Sequence, residues 1–194
     1  MDEPAWVALA DTAGSRQIHH RVRYAVYCQK RAYEDAQRFP DGEERDVYDE
    51  TAVHFVAYDG QDWTGAVRLI PPSAGGLPMS GLAKLSPHVA GLVAQQRVAE
   101  ISRMCSTGPD VFEALIRACF AYAYQHGYGY VAWLTTAPLA RLLRRAGVSG
   151  SAAGDGCDHR GRRRPFIGNT AELYRAIPAG PHYTAFSALG WTPE

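Results

Sequence analysis

Charged residues recur inside otherwise apolar segments of this chain, and they constrain its fold more than any other feature. Arg68 lies within the run Gly65–Leu69, and Glu100 and Arg103 lie within the segment AEISRMC. Burying a charge is costly unless the charge is paired. The sequence therefore predicts that these side chains meet partners of opposite charge, as expected at a site.

The partner carboxylates are expected from the acidic run GEERDVYD, residues 42–49. Most such runs are solvent-exposed loops. Here the run follows a helix predicted over residues 15–34, on which Arg23, Tyr27 and Arg31 recur every four residues and so share one row. On its own that row would be a solvated helix face, but together with the acidic run it suggests one polar constellation.

The composition is that of a globular protein and excludes several classes of function. Hydrophobic residues make up 46% and charged residues 21% of the 194 residues, and 20 acidic side chains balance 20 basic ones. This balance argues against a general attraction to nucleic acid or to a membrane. No stretch approaches the ~20 apolar residues of a membrane span. We therefore predict a single domain over residues 1–194, located in the cytoplasm and without a nucleic-acid partner.

Cysteine and histidine usage gives no metal assignment. The four cysteines have no C-x-x-C spacing and lie mostly in apolar runs, which favours reduced structural thiols over disulfides or a zinc site. The seven histidines show no metal-ligand spacing. We assign no metal.

The order of predicted elements is that of an α/β protein. Periodicity and capping signals predict helices over 15–34, near 88–95, from Asp110 to Gly127 and from Thr136 to Gly147. Strands are predicted over 52–58, 63–70, 97–105, 128–135 and around 165–174, with the first two joined as a hairpin. Residues 71–78 are predicted to be a loop, and the Gly- and Arg-rich residues 150–164 a mobile segment.

The motifs in this order resemble the autoinducer-synthase branch of the GNAT N-acyltransferases, which includes N-acyl-amino-acid synthases and exosortase-associated acyltransferases. Glu44, Asp46 and Asp49 match the Glu-x-Asp-x-Tyr-Asp pattern of that family, and a Glu-Ile-Ser-Arg run begins at Glu100. The resemblance covers about residues 16–175. It implies a mixed β-sheet that is splayed between its fourth and fifth strands to admit a thioester and flanked by helices.

The resemblance also implies roles for the residues that would meet the acceptor. Arg23 and Tyr27 would face the acceptor pocket, where a guanidinium can grip a carboxylate. The family's next aromatic residue is commonly Trp, and this chain has Tyr33 there, which departs from the pattern for an S-adenosylmethionine acceptor.

Catalytic roles are implied for one strand and one loop. Glu100 would accept a proton from the acceptor ammonium, and Glu44 would handle an acceptor proton from the other side. Backbone N–H groups near Ser102 would stabilise the oxyanion. Glu44 and Glu100 are expected to converge at the mouth of the gap in the sheet. The remaining charged residues would form a structural network at the site: Asp46, Asp49, Arg68 and Arg103.

The expected reaction is transfer of a fatty acyl group from a thioester to the amine of an amino acid or related acceptor, without a bound cofactor. The segment Ser106–Asp110 has one glycine and an acid at the helix start, which suits a CoA pyrophosphate poorly. Acyl carrier protein is therefore the preferred donor and partner, and acyl-CoA the alternative. Four arginines would dock this acidic partner, unless they only form a solubilising basic loop: Arg144, Arg145, Arg162 and Arg163.

Three alternatives stay open. One is synthesis of an acyl-homoserine lactone from S-adenosylmethionine, and another is fatty acylation of a peptide amine. The third is a non-catalytic sensor that binds an acyl thioester or an N-acyl amino acid. Because an amine attacks a thioester directly, Cys28 and Cys105 need not act as nucleophiles.

Overall fold

The computed structural model describes residues 6–145 and 147–190. Its strands are β1 (Trp6–Leu9), β2 (Val53–Tyr58), β3 (Trp63–Ile70), β4 (Val98–Ser106), β5 (Tyr130–Thr135), β6 (Ser151–Ala152), β7 (Cys157–Asp158), β8 (Arg162–Asn169) and β9 (Thr184–Ala185). Its α-helices are α1 (Ala13–Tyr24), α2 (Pro78–Leu82), α3 (Pro87–Ala94), α4 (Pro109–Gln125), α5 (Ala137–Arg145) and α6 (Thr170–Arg175). A π-helical segment (Ala25–Lys30) follows α1, and short 3-10 helices span Ala36–Arg38, Val47–Glu50 and Phe186–Leu189.

The strands form a mixed sheet in the order β6-β8-β5-β4-β3-β2-β1-β9, with β7 paired to β8 outside this path. β4 and β5 are parallel, whereas β5 pairs antiparallel with β8 and β1 antiparallel with β2. The pairing of β4 with β5 covers Val98–Ile101 and Tyr130–Trp133, although β4 continues to Ser106 and β5 to Thr135. This early end of the pairing is what a splayed sheet requires, and it confirms the predicted fold class.

Packing divides the described residues into two compact units. The first unit comprises the chain up to Arg68, Arg103–Ala118 and the residues from Gly180 onward, and the second comprises Leu69–Ser102 and Cys119–Ala179. A single domain over residues 1–194 stays a prediction. None of the helices in the described part of the chain combines the length and apolar character needed to cross a bilayer.

Local sequence explains how α1 begins and which face it buries. Thr12 and Ser15 form a reciprocal capping box in which each side chain accepts from the backbone N–H of the other. The residues that α1 buries are Ser15, His19 and Arg23, spaced four apart and all polar. A polar face turned inward must find internal partners, because buried polar groups without them are costly.

The helix predicted over residues 15–34 is confirmed as helical up to Lys30, but it is not an α-helix throughout and residues 31–34 lie outside it. After Tyr24 the backbone becomes π-helical and ends at Lys30, so each turn holds about one residue more than in an α-helix. Arg23, Tyr27 and Arg31 therefore do not share one row: Arg23 is buried, Tyr27 is half-buried, and Arg31 is exposed beyond the end of the segment.

Most other predicted elements are confirmed within a few residues, and two differ. The strand expected around 165–174 ends at Asn169, whose side chain accepts from the N–H groups of Ala171 and Glu172 and so begins α6. The segment 150–164 contributes β6 and β7, both of which pair with β8. Short strands of two residues leave little periodicity for a sequence to reveal.

Candidate functional site

Arg23 is the centre of a buried ion-pair network in the first unit. Its Nε donates to Oε2 of Glu44 at 2.6 Å, and its two Nη atoms donate to the carboxylate oxygens of Asp49 at 2.6 and 3.2 Å. The side chains of Arg23 and Glu44 are 0% and 1% exposed. The guanidinium is thus committed to two internal carboxylates.

Arg68 extends the network from β3. Its Nη1 donates to Oδ1 of Asp46 at 2.5 Å and lies 3.0 Å from Oδ2 of Asp49, and its Nη2 donates to Oδ2 of Asp46 at 3.2 Å. The backbone of this stretch is fixed by a second capping box. The Asp46 side chain accepts from Tyr48 N–H, and the Asp49 side chain accepts from Asp46 N–H. The acidic run is therefore an ordered turn that presents carboxylates to arginines.

Arg103 completes the network from β4. Its Nη2 donates to Oδ2 of Asp46 at 3.1 Å and to Oε1 of Glu34 at 3.3 Å. Its Nε lies 3.2 Å from Oε1 of Glu44, in ion-pair contact but without the alignment of a hydrogen bond. Arg103 also has a φ of +51°, in the left-handed region that is rare for a residue with a side chain. The strict alternation of faces expected along β4 therefore breaks at this residue.

Two carboxylates of this network, those of Asp46 and Asp49, are held in the ionised form. Burial alone would raise the pKa of Asp49, but the hydrogen bond from His54 and the charges of Arg23 and Arg68 outweigh it and lower that pKa well below the ordinary range. Asp46 has a lowered pKa because its bonds to Arg68 outweigh its burial. Arginine pairing thus compensates the burial of both aspartates.

The two predicted acceptor-binding tyrosines lie at the more accessible edge of the network. The Tyr27 hydroxyl donates to the Met104 carbonyl at 3.2 Å, and the Arg103 guanidinium carbon lies 5.5 Å from the Tyr27 ring centroid. The Tyr33 ring is 5.9 Å from that of Tyr27 in an edge arrangement, and Tyr33 is 39% exposed. These contacts form an aromatic rim beside a charged interior.

Glu100 and Ser102 belong to the second unit. Glu100 is 3% exposed, and its Oε2 accepts from the backbone N–H of Met79 at 2.9 Å, at the start of α2. Ser102 is half-buried further along β4. The predicted convergence of Glu44 and Glu100 and their proton-handling roles stay predictions.

An arginine-rich cavity of about 400 Å³ lies in the second unit. Three of the four arginines predicted to dock the donor line it, namely Arg144, Arg162 and Arg163, and Arg145 is exposed at the end of α5. Two further arginines join the lining: Arg141 and Arg164. Apolar groups share the wall, including the Phe166 ring. The cavity therefore combines several cations with a surface that an apolar group can contact.

Sequence spacing missed a cluster of three histidines in the first unit. His19 and His20 on α1 approach His54 on β2, with ring centroids 4.5 and 5.5 Å from that of His54. His54 Nε2 lies 3.0 Å from Oδ1 of Asp49, so the cluster adjoins the ion-pair network. The HH pair and a lone histidine 34 positions later carry no recognisable spacing, because the fold alone brings helix and strand together.

Three of the four cysteines, Cys28, Cys105 and Cys119, are unsuited to nucleophilic catalysis. Burial raises the pKa of Cys105 to about 12, and its thiol faces the Ala66 carbonyl at 3.7 Å. Burial also raises the pKa of Cys28 and of Cys119. All four cysteines of the chain lie within its described residues and form no disulfide there.

The fold resembles that of several solved structures. TofI, solved in a ternary complex with an inhibitor and MTA, matches with a TM-score of 0.69 at 22% identity over 90% of this chain and 96% of that one. BjaI with MTA, a CoA-dependent acyl-homoserine lactone synthase, matches with a TM-score of 0.66 at 20% identity over 89% and 87%. FeeM, an N-acyl amino acid synthase from uncultured soil microbes, matches with a TM-score of 0.67 at 14% identity over 92% and 100%.

No curated protein matches the sequence. A family model for the acetyltransferase (GNAT) domain matches residues 22–131, which is more than half of the chain. That range contains Arg23, the acidic run, β3 and all of β4, and so includes every residue of the ion-pair network. Together with the splayed mixed sheet, this match confirms the resemblance read from the sequence. The chain therefore belongs to the GNAT acetyltransferase family.

Proposed function

We propose that the protein moves a fatty acyl group from the thioester of acyl carrier protein, or of CoA, to the amine of an amino acid or a related acceptor. The observation that carries this proposal is the network of three arginines and four carboxylates held inside a GNAT-family chain. Replacing buried ion pairs by apolar residues is often neutral or stabilising, so stability alone does not require them. The need to orient a polar substrate would account for such a network.

Access to the network suggests how an acceptor would bind. Side-chain exposure is 0% for Arg23, 2% for Arg68 and 15% for Arg103. In this proposal Arg103 meets the acceptor carboxylate, Tyr27 and Tyr33 line its path, and Arg23 holds Glu44 and Asp49 in place. A direct grip by Arg23, as the family resemblance implies, would require it to leave one of its two carboxylates.

The chemistry needs a base, an oxyanion donor and a leaving thiol. The acceptor ammonium loses one proton to Glu100, and the free amine attacks the thioester carbonyl carbon. As the C–S bond breaks and the amide forms, the nitrogen gives up a second proton, and the thiolate takes up one proton to leave as a thiol. Backbone N–H groups near Ser102 would stabilise the oxyanion of the intermediate. Glu44 would take part in proton transfer from the acceptor side, and no cofactor enters the scheme.

The arginine cavity supports a donor that carries phosphate on an acidic protein. Guanidinium groups bind phosphate bidentately, and a cluster of them steers an acidic partner toward its docking surface. Arg144, Arg162 and Arg163 would contact the carrier or its phosphopantetheine phosphate, with Arg145 adding to the field. CoA carries phosphates too and would compete for the same cations. A cytoplasmic location, as predicted from the sequence, is part of this proposal.

A second candidate is synthesis of an acyl-homoserine lactone from S-adenosylmethionine, favoured by the likeness of the fold to BjaI. Tyr33 weighs against it. It is an exposed tyrosine at the place where the family commonly has tryptophan. Because both candidates use the same donor and the same first step, one assay that offers both acceptors distinguishes them by the product formed.

The experiment incubates the purified protein with acyl carrier protein thioesters or acyl-CoA and a pool of amines that includes S-adenosylmethionine and short peptides. Mass spectrometry then identifies new products. An N-acyl amino acid supports the proposal, a lactone supports the second candidate, and an acylated peptide redirects the acceptor assignment. If the protein binds the thioester but forms no amide, the non-catalytic sensor would replace the acyltransferase as the proposed function.

A matched pair of variants tests the role of Glu100. Glu100→Gln keeps a carbonyl oxygen for Met79 N–H but removes the base, so kcat/KM should fall at least about 100-fold while thioester binding persists. Glu113→Gln removes a half-exposed carboxylate on α4 and should leave turnover unchanged. Equal turnover in the two variants would remove Glu100 from the mechanism.

A further inference from the structure

The three histidines of the first unit lie close enough to share a ligand. His19, His20 and His54 each offer one ring nitrogen, and these three nitrogens lie within 4.8 Å of one another. His19 is 0% and His54 2% exposed, whereas the His20 side chain is 12% exposed. His19 and His54 are therefore buried, and His20 is the more accessible member of the cluster.

Several buried ring nitrogens of this cluster lack hydrogen-bond partners. Neither ring nitrogen of His19 has a hydrogen-bond partner, and neither does Nε2 of His20. A neutral imidazole carries one N–H donor and one lone pair, and burying both without partners is costly. Buried unsatisfied groups in native proteins are rare, and a bound ion is one of their ordinary explanations.

The protonation state of the cluster suits a ligand that accepts electron pairs. Burial, and after it the nearby charge of Arg23, lower the pKa of His20 to about 4 and that of His19 well below its ordinary value. Burial also lowers the pKa of His54, although its bond to Asp49 opposes this. Neutral imidazole is the form that binds metals, and burial favours that form in all three rings.

The charges around the cluster are balanced rather than strongly positive. Arg23 acts on all three histidines, but its guanidinium is already paired with Glu44 and Asp49. The Glu43 carboxylate lies 4.0 Å from Nδ1 of His20. An incoming divalent cation therefore meets carboxylates as well as the arginine.

We propose that His19, His20 and His54 together bind one divalent transition-metal ion of the zinc class. His54 Nε2 lies 3.0 Å from Oδ1 of Asp49, so ligation through the Nδ1 atom of His54 would give the carboxylate–histidine–metal arrangement that orients ligating imidazoles. Zinc bonds to nitrogen at about 2.0–2.1 Å and takes four ligands, so the rings close in by small rotations and water completes the shell. The ion would pin α1 to β2 next to Arg23.

The test measures metal binding by the full chain, without an affinity tag and after chelator treatment. Zn²⁺ alone is the probe, with bound metal counted by elemental mass spectrometry after gel filtration. Co²⁺ then serves as a second probe, because its visible spectrum reports nitrogen ligation. We expect one ion per chain, a Co²⁺ spectrum typical of histidine ligation, and a rise in Tm with Zn²⁺ that chelator reverses.

Substitutions test whether the histidine cluster is the metal-binding site. His20→Gln changes the most accessible ligand and should weaken Zn²⁺ binding by about 100-fold or more, since even outer-shell changes cost roughly 10–100-fold. His126→Gln changes an exposed histidine of the second unit and should bind as the unmodified protein does. The proposal is overturned if the unmodified protein binds only trace metal without a change in Tm. Equal affinity of the His20→Gln and His126→Gln variants would also overturn it.

Discussion

Nη1 of Arg23 and Oδ1 of Asp49 lie 2.6 Å apart in the interior of the first unit, and the same carboxylate oxygen lies 3.0 Å from Nε2 of His54. One carboxylate thus joins the ion-pair network to the histidine cluster. Because each of these groups is almost completely buried, their mutual pairing decides whether the unit tolerates them.

Removing Arg23 should be strongly destabilising. Arg23→Met leaves Glu44 and Asp49 buried with too few cations, and breaking a buried ion pair costs about 3–5 kcal/mol. Arg45→Met is the matched control, because its contacts with Asp41 and Glu43 lie at the surface and such pairs contribute about 0–1 kcal/mol. Urea unfolding at pH 7 measures both. Similar losses in the two variants would show that the network does not stabilise the fold.

Acidification should destabilise the metal-free protein in two stages. The unfolded state binds protons on its histidines near pH 6.5, but the folded pKa of His20 is about 4, so stability falls as the pH drops through this range. Each such histidine contributes up to about 1.4 kcal/mol per pH unit. Asp49, whose folded pKa is lowered, stabilises above its unfolded pKa of ~3.9, and that contribution is lost only below about pH 4.

Urea midpoints between pH 7.5 and about 4.5, with chelator present, test the first stage. The His20→Gln variant lacks one of the titrating groups, so its stability should fall less steeply with acidification. A midpoint that stays constant from pH 7 to 5 in the unmodified protein would contradict the prediction.

Periodicity and capping signals locate most elements of this fold, because long amphipathic or apolar segments leave a readable pattern. The hairpin of β2 and β3 and the helix after Pro109 are examples. The π-helical segment Ala25–Lys30 is different: its extra residue per turn is set by packing, and no residue type marks it. The same holds for the left-handed φ of Arg103, which an arginine would not adopt by its own preference.

The ion-pair network was predictable as a set of residues, because paired charges in apolar segments need each other. Its connectivity was not, since three arginines and four carboxylates allow many pairings. The family resemblance implied that Arg23 faces an acceptor, whereas the structure pairs it with Glu44 and Asp49. The histidine cluster lacked even a residue-level signal, because His19 and His54 meet only through the packing of α1 on β2.

Replacing Gly65 in β3 by a residue with a Cβ should destabilise the protein for steric reasons. A Cβ on Gly65 would lie 2.6 Å from a methyl group of Val111 and 2.9 Å from one of Leu115, both on α4, so Gly65→Ala overpacks this contact. We expect a loss of about 1–3 kcal/mol. Gly81→Ala is the control, because no atom lies within 4 Å of a Cβ added there. This substitution in α2 should stabilise the protein by about 0.4–1 kcal/mol. If both variants unfold at the same urea concentration, the close approach of β3 and α4 is not as described.

The arginine cavity should govern donor affinity through its charge. Reversing Arg144 and Arg163 to glutamate replaces two cations that line the cavity with anions, so association with an acidic carrier slows. The KM for acyl carrier protein thioesters should rise about tenfold with kcat unchanged, and the dependence of kcat/KM on salt should weaken. Reversal of Arg175, an exposed residue of α6 that is not in the described lining of the cavity, should change neither quantity. An equal rise in KM for both variants would mean that net charge alone attracts the donor, whereas a fall in kcat with constant KM would place these arginines in the chemical step.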